Sequence, residues 1–369
     1  MLKIVHIARP IAGVGVYISL TIKHLNKYKF SNVVICNTKE NNIGLYDSLG
    51  NKTSIHHADL FRKINPIKDF LTFLQIIKIL KIEKPDIIHC HSAKAGILGR
   101  LAGAYLNIKT FYTPHAYSYL SQDKSFKKGV FKFIERIMSK LPAITLACSE
   151  SEFLKGKNEL NIKKEKLKFW NNSIEDNINL SRYDLLKNLP KQYFCTIGRP
   201  SFQKNTELLI KSIIELKKNQ REFHLVILGA GLFSPSLEKV KSLINDNNLN
   251  LNVTIIPWIN RLEALKVLKE SMFYISTSRY EGLPYSLIEA ISLNKACIVT
   301  NVGGNTDVIT HKENGFVVNN NEKEIAKRIK ELMNDEKLRD EMSKKAREIF
   351  LNKFCIKKNI YELENIYLS

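Results

Sequence analysis

Short, wholly apolar runs alternate with longer stretches of helical periodicity from one end of the chain to the other. The runs at 2–8, 32–37, 53–57, 86–92, 108–113 and 143–149 read as strands, and 66–83 and 94–106 show helical patterns between them. Strands that are apolar at every position, rather than at alternate ones, are buried on both faces, as in a parallel sheet covered by helices. Residues 175–192 are polar and interrupt the alternation, which resumes at 193–198, 223–229, 252–257, 272–277, 295–300 and 315–319. From 322 onward the chain is helical, with charges at i,i+4 spacing. The pattern predicts two doubly wound α/β domains in tandem, facing each other across a cleft. The first spans 1–178, a linker 179–192, the second 193–350, and a helical segment 351–369 returns to the first. In open parallel sheets ligands sit beyond the carboxyl ends of strands, so chemistry is expected where these runs end.

Composition changes the picture in one respect. Hydrophobic (44%) and charged (25%) fractions are those of a soluble globular protein, which excludes a disordered chain. The 57 Lys and Arg against 36 Asp and Glu give a net charge of +21. Residues 1–180 hold 28 basic and 14 acidic side chains, so most of the excess lies in the first half. That half suits a polyanionic surface, unless the bias serves only solubility. No basic–aromatic module or nucleic-acid motif is present, so no nucleic acid partner is expected. An anionic bilayer remains. Residues 124–140 carry six cations and one acid, with Phe126, Val130, Phe133, Ile134 and Ile137 at helical spacing. Such a helix can lie on lipid, or pack on the sheet with its basic face in solvent.

The six cysteines show no C-x-x-C spacing and read as buried small hydrophobes of a reducing compartment. The N-terminal apolar run is too short for a secretory leader, and no stretch reaches the ~18 apolar residues of a membrane span. A cytoplasmic location, with any membrane contact peripheral to the inner face, is the expectation.

Candidate chemistry lies at strand ends. Gly13 and Gly15 fall between the first strand and a helix, where glycine lets backbone approach a phosphate, although a plain tight turn explains them equally. Ile18 stands where a dinucleotide fingerprint needs a third glycine, and the second strand ends in Asn37 rather than an acid. His115 follows Pro114 at the end of the fifth strand, placed either to bond a hydroxyl or to pack on Tyr112 or Tyr117. His89 and His91 share one strand face without an evident acidic or Cys partner, which favours a structural role over a metal site. Arg199 and Lys204 follow a strand and precede a helix, a spacing that suits a diphosphate. Glu281 and Glu289 lie eight residues apart, the first on a loop and the second in a helix starting at Pro284. Between them Gly282, Leu283, Tyr285 and Ser286 form a helix N-terminus suited to phosphate oxygens. Two carboxylates flanking an anion site suit a sugar on one side and a ribose on the other.

These residues, with VGGNTDVI at 302–309 and NGFVV at 314–318, resemble the retaining glycosyltransferases of family 4, whose fold is GT-B, with two Rossmann-like domains. HSAKAGILGRLAGAYL and YTPHAYSY look like the bacterial subgroup that builds capsule, O-antigen or exopolysaccharide. The resemblance implies that Arg199 and Lys204 hold a donor diphosphate, and that Gly13 and Gly15 form a nearby glycine loop. It also implies that Glu289 binds the nucleotide ribose, Glu281 contacts the transferred sugar, and His115 contacts donor sugar or acceptor. No metal or other cofactor is implied, because cations and helix dipoles serve instead. The implied activity moves a hexose or N-acetylhexosamine from a nucleotide sugar such as a UDP-sugar to a polyprenyl-diphosphate-linked glycan. Same-face attack assisted by the leaving phosphate accounts for retention. An epimerase of the same fold, or a non-catalytic partner subunit of a transferase, are the alternatives. The chain departs from the family pattern at G-V-G, where adjacent glycines are usual. It departs also at WNNSIED, where Ser173 replaces Gly, and at GGNTD in place of GG-x-x-E.

Overall fold

The computed structural model describes residues 1–39, 44–61, 63–176, 180, 189–220, 222–231 and 234–369. Much of the 179–192 linker lies outside them. Contacts divide the chain into a first unit, Met1–Glu175 with Cys355–Ser369, and a second, Asp176–Phe354.

In the first unit β1 (Leu2–Ile7), α1 (Gly13–His24), β2 (Phe30–Cys36) and β3 (Ser54–His57) come first, followed by α2 (Pro66–Glu83) and β4 (Ile87–His91). Next are α3 (Ala93–Leu106), β5 (Lys109–Thr113), α4 (Ser125–Met138), β6 (Ala143–Ala147), α5 (Glu150–Asn158) and β7 (Leu167–Phe169). The seven strands form one sheet in the order β3-β2-β1-β4-β5-β6-β7, parallel at every pairing. Strand order reverses between β1 and β4, the crevice where doubly wound sheets bind ligands. The runs predicted as strands are all present, with their ends moved by a residue or two, and β7 was not anticipated.

The second unit holds β8 (Phe194–Ile197), α6 (Thr206–Lys217), β9 (Leu225–Ala230), α7 (Leu237–Asp246), β10 (Val253–Pro257) and α8 (Arg261–Glu270). It continues with β11 (Tyr274–Ser276), α9 (Tyr285–Ser292), β12 (Cys297–Thr300), β13 (Gly315–Val318), α10 (Glu322–Asn334) and α11 (Glu336–Lys353). Its parallel sheet runs β10-β9-β8-β11-β12-β13, with the switch between β8 and β11. Phe194 and Phe273 stack with ring centroids 4.9 Å apart in the middle of its core, among residues that include Leu225, Ile275 and Ile298.

Helix α12 (Ile356–Leu368) belongs to the first unit. Ile356 N–H bonds the Ile174 carbonyl, Trp170 donates its indole N–H to the Asn359 carbonyl, and the Glu364 carboxylate accepts the Asn26 amide. All six cysteines are buried and free, as their apolar contexts predict. Among the described residues no helix is long and apolar enough to cross a membrane.

Two expectations need correction. Gly13 and Gly15 do not form a loop: both lie in the first turn of α1, and the sharp turn before it is made by Ala12 at φ 51°. A non-glycine residue in so sparsely populated a conformation carries about 1–3 kcal/mol of backbone strain. Pro284 is the residue before α9 rather than its first, with an extended ψ of 121°.

Candidate functional site

The residues singled out in the second unit gather at its switch point. β8 ends at Ile197 and is followed by Gly198, Arg199 and the loop to Lys204; β11 ends at Ser276 and is followed by Ser278 and Glu281. Lys204 Nζ lies 2.7 Å from Glu281 Oε1, and Ser278 Oγ donates to the same oxygen at 2.7 Å. Gln203 Nε2 donates to Glu281 Oε2 at 3.2 Å. Glu281 is buried, and these three hydrogen bonds satisfy its carboxylate there.

Local backbone builds this pocket of contacts. Gly198 sits at φ 153°, and a Cβ there would come within 3.0–3.1 Å of the Lys204 side chain. Gly304 sits at φ 85°, and a Cβ there would meet the Gly282 carbonyl oxygen at 2.4 Å. The Gly282–Leu283 turn is thus pressed against the loop after β12. Thr300 Oγ1 donates to the Ser278 carbonyl at 2.6 Å, and the buried Asn305 donates to the Thr300 carbonyl at 3.1 Å. Asp307 accepts the Gly304 amide at 3.2 Å, so the GGNTD variant closes its own turn with a short acid. Tyr285 and Ser286 open α9, and Tyr274 donates its hydroxyl to Ser286 Oγ at 2.9 Å.

Glu289 is the fifth residue of α9 and is buried. Its partner escaped sequence reasoning. Arg261 Nε lies 2.6 Å from Glu289 Oε1. Asn260 and Glu263 form a capping box that starts α8 and places Arg261 at its first position. The motif N-R-L-E was the available signal. Burial pushes the Glu289 carboxyl above the ordinary range, and the Arg261 charge and hydrogen bond pull it back. The two acids do not form a pair; each has its own cation.

The first unit brings together four histidines. His6 on β1 and His89 on β4 are register partners, and His91 lies two residues beyond His89 on the same face. His6 Nδ1 and His91 Nε2 are 3.2 Å apart, and so are His91 Nδ1 and His115 Nε2. His89 bonds the Tyr367 hydroxyl at 2.7 Å and the Thr113 hydroxyl at 2.9 Å. His6, His89 and His91 offer nitrogens within 4.8 Å of one another, spacing that would also admit a metal. Protein hydrogen bonds engage both nitrogens of all three. His115 and Ala116 both have positive φ, 52° and 76°. Buried Glu152 holds that strained turn, accepting the Ala116 amide at 2.7 Å and the Cys148 amide at 2.8 Å.

The profile of "Glycosyltransferase Family 4" matches residues 11–177, and that of "Glycosyl transferases group 1" matches 177–349. Two GT-B-type Rossmann-like sheets with these motifs define a glycosyltransferase enzyme. The chain belongs to family 4 of the glycosyltransferases.

A UDP-Gal:alpha-D-GlcNAc-diphosphoundecaprenol alpha-1,3-galactosyltransferase of Escherichia coli is 27% identical over 84% of this chain and 82% of its own. The capsular polysaccharide glycosyltransferase CapM of Staphylococcus aureus is 27% identical over 85% and 84%. Sucrose-phosphate synthase of Thermosynechococcus elongatus superposes with a TM-score of 0.84 at 16% identity, covering 100% of this chain and 98% of that one. HepE of Anabaena, solved with UDP and glucose, gives 0.81 at 14% identity, covering all of both chains. The two solved structures attest the fold alone.

Proposed function

We propose that this enzyme transfers a hexose or N-acetylhexosamine, with retention, from a UDP-sugar to a lipid-linked glycan in bacterial capsule or O-antigen synthesis. The observation that carries the reading is the Lys204–Glu281 ion pair at the β8/β11 switch point, with Arg199 leaving the same strand end. Arg199 and Lys204 supply positive charge for a diphosphate, so no resident metal is required. Glu281 takes hydroxyls of the transferred sugar. Glu289, oriented by Arg261 through Oε1, keeps Oε2 for ribose hydroxyls. The C1–phosphate bond breaks, the acceptor oxygen bonds C1 on the same face, and the acceptor proton passes to the leaving diphosphate.

Acceptor and donor class rest on the relatives, one of which is named for UDP-Gal and a diphosphoundecaprenol-linked GlcNAc. The test is a screen of sugar nucleotides with a short-chain lipid-pyrophosphate glycan. Transfer only when both are present supports the reading. Donor turnover without acceptor would favour the epimerase, and turnover of neither would favour a non-catalytic subunit.

Helix α4 supports a peripheral, cytoplasmic-face membrane contact. Phe126 is 83% and Phe133 62% exposed, and Val130 and Ile137 continue the same stripe beside Lys127 and Lys128. Its other face is anchored by Met138 and by Glu135, which pairs with the buried Arg100. Helix α2 likewise exposes Ile67, Phe70 and Leu71. Apolar side chains bordered by lysines fit an anionic bilayer.

A further inference from the structure

The histidine row of the first unit has a direction. Asn32 Oδ1 lies 3.2 Å from His6 Nε2. An amide oxygen only accepts, so His6 carries its proton on Nε2. Burial pushes the His6 pKa down to about 4, so the ring is neutral near pH 7 and its Nδ1 accepts. The donor to it is His91 Nε2. His91 is also held well below the ordinary range, by burial first and by the neighbouring histidines next, which leaves its Nδ1 as an acceptor. His115 Nε2 therefore donates to His91 Nδ1. Burial lowers the His115 pKa to about 3, so its remaining nitrogen, Nδ1, carries a lone pair. Among the described residues no protein group bonds that atom.

We propose that Asn32, acting through His6 and His91, fixes the tautomer of His115 so that Nδ1 accepts a hydrogen bond from a sugar hydroxyl. The ligand atom it takes is an O–H donor, not a phosphate or carboxylate oxygen. Asn32, His6 and His91 are positioning residues. The role given to His115 rests on the transferase reading above; the tautomer itself does not.

Packing keeps the row in line. The Tyr17 ring meets His115 edge-on at 4.9 Å and lies 5.2 Å from His91. The His91 and His115 ring planes lie within 27° of each other with centroids 5.4 Å apart, as an in-plane bond requires, and Glu152 fixes the backbone turn beneath His115. His89 does not compete as a link, because its nitrogens face the Thr113 and Tyr367 hydroxyls.

The test is a long-range proton–nitrogen correlation spectrum of the full chain labelled with ¹⁵N-histidine, near pH 7.5, with His115→Gln to assign the signal. In the unaltered protein His115 should be protonated on Nε2 alone. Asn32→Leu and His6→Phe cut the row at different links, and both should move His115 toward the Nδ1–H form. Both should also lower kcat about tenfold, the value of one neutral hydrogen bond, with donor KM changed less than about twofold. Protonation on Nδ1 in the unaltered protein overturns the proposal, as does an unchanged tautomer in both variants. If neither variant folds, the spectrum of the unaltered protein decides. The spectrum needs no substrate, so a failed transferase assay leaves this result standing. Lost transfer with an unmoved tautomer sinks the relay and spares the transferase.

Discussion

Lys204 and Glu281, 77 residues apart in sequence, meet at 2.7 Å where two adjacent strands of the second unit end. The lysine thus has a carboxylate partner before any diphosphate arrives. Glu281 in turn is held by Ser278 and Gln203 as well, so its position does not depend on the lysine alone. Glu281→Ala should lower kcat by about 100- to 1,000-fold, the range for losing a preorganised electrostatic contact. Circular dichroism should show an intact fold. Near-normal turnover would remove Glu281 from the chemistry.

Arg199→Ala should weaken UDP binding by about tenfold or more, since a charge-assisted fork contributes about 1.5–3 kcal/mol. Titration calorimetry with UDP reads this directly. An unchanged dissociation constant would place the diphosphate elsewhere.

Arg261→Leu leaves the buried Glu289 carboxylate without its cation. Breaking a buried pair from one side costs about 3–5 kcal/mol, less here because Arg261 is partly exposed. The folded-state pKa of Glu289 is raised, so its neutral form is favoured and stability falls as pH rises through that value. Without Arg261 the fall should steepen. Urea denaturation at pH 5 and pH 8 should show the variant closer to the parent at the lower pH; an equal deficit at both would contradict it.

Acid should weaken the first unit. His6 and His115 have folded pKa values lowered to about 4 and about 3, against about 6.5 in the unfolded chain. Their stability contribution is complete above pH 6.5 and is lost as pH falls below it. Each costs about 1.4 kcal/mol per pH unit in that window. Trp170 is buried beside Tyr17, whereas Trp258 is exposed, so Trp170 fluorescence in a Trp258→Phe background follows this unit. His6→Phe should reduce the slope between pH 6.5 and 5; an unaltered slope would show that His6 protonates freely.

Flotation with vesicles containing anionic lipid should carry the protein upward at low salt. Phe126→Ser with Phe133→Ser should abolish this, and Lys127→Glu with Lys128→Glu should weaken it and its salt dependence. No binding by the parent protein would dismiss the helix α4 contact.

Much of the fold was readable from the chain. Apolar runs gave both sheets, Arg199, Lys204 and Glu281 were singled out by their place after such runs, and Glu289 by its eight-residue spacing from Glu281. What sequence did not reveal depends on contacts far apart in the chain. Arg261 meets Glu289 only because α8 and α9 flank β11. His6 reads as one polar position in an apolar strand, and register against β4 makes it a neighbour of His89. β7 is only three residues long, too short for any periodicity to show. Gly13 and Gly15 misled because glycine usually marks a turn, while the turn fell on Ala12.

Helix α12 follows the whole second unit in the chain yet completes the first. On the ribosome the sheet bearing His89 must wait for Tyr367, Glu364 and Asn359, a delay on the order of 10–40 s. During that interval His89 lacks its tyrosine, and the Trp170 indole lacks the Asn359 carbonyl. The nascent first unit thus lacks the contacts of its last helix until its neighbour has been translated.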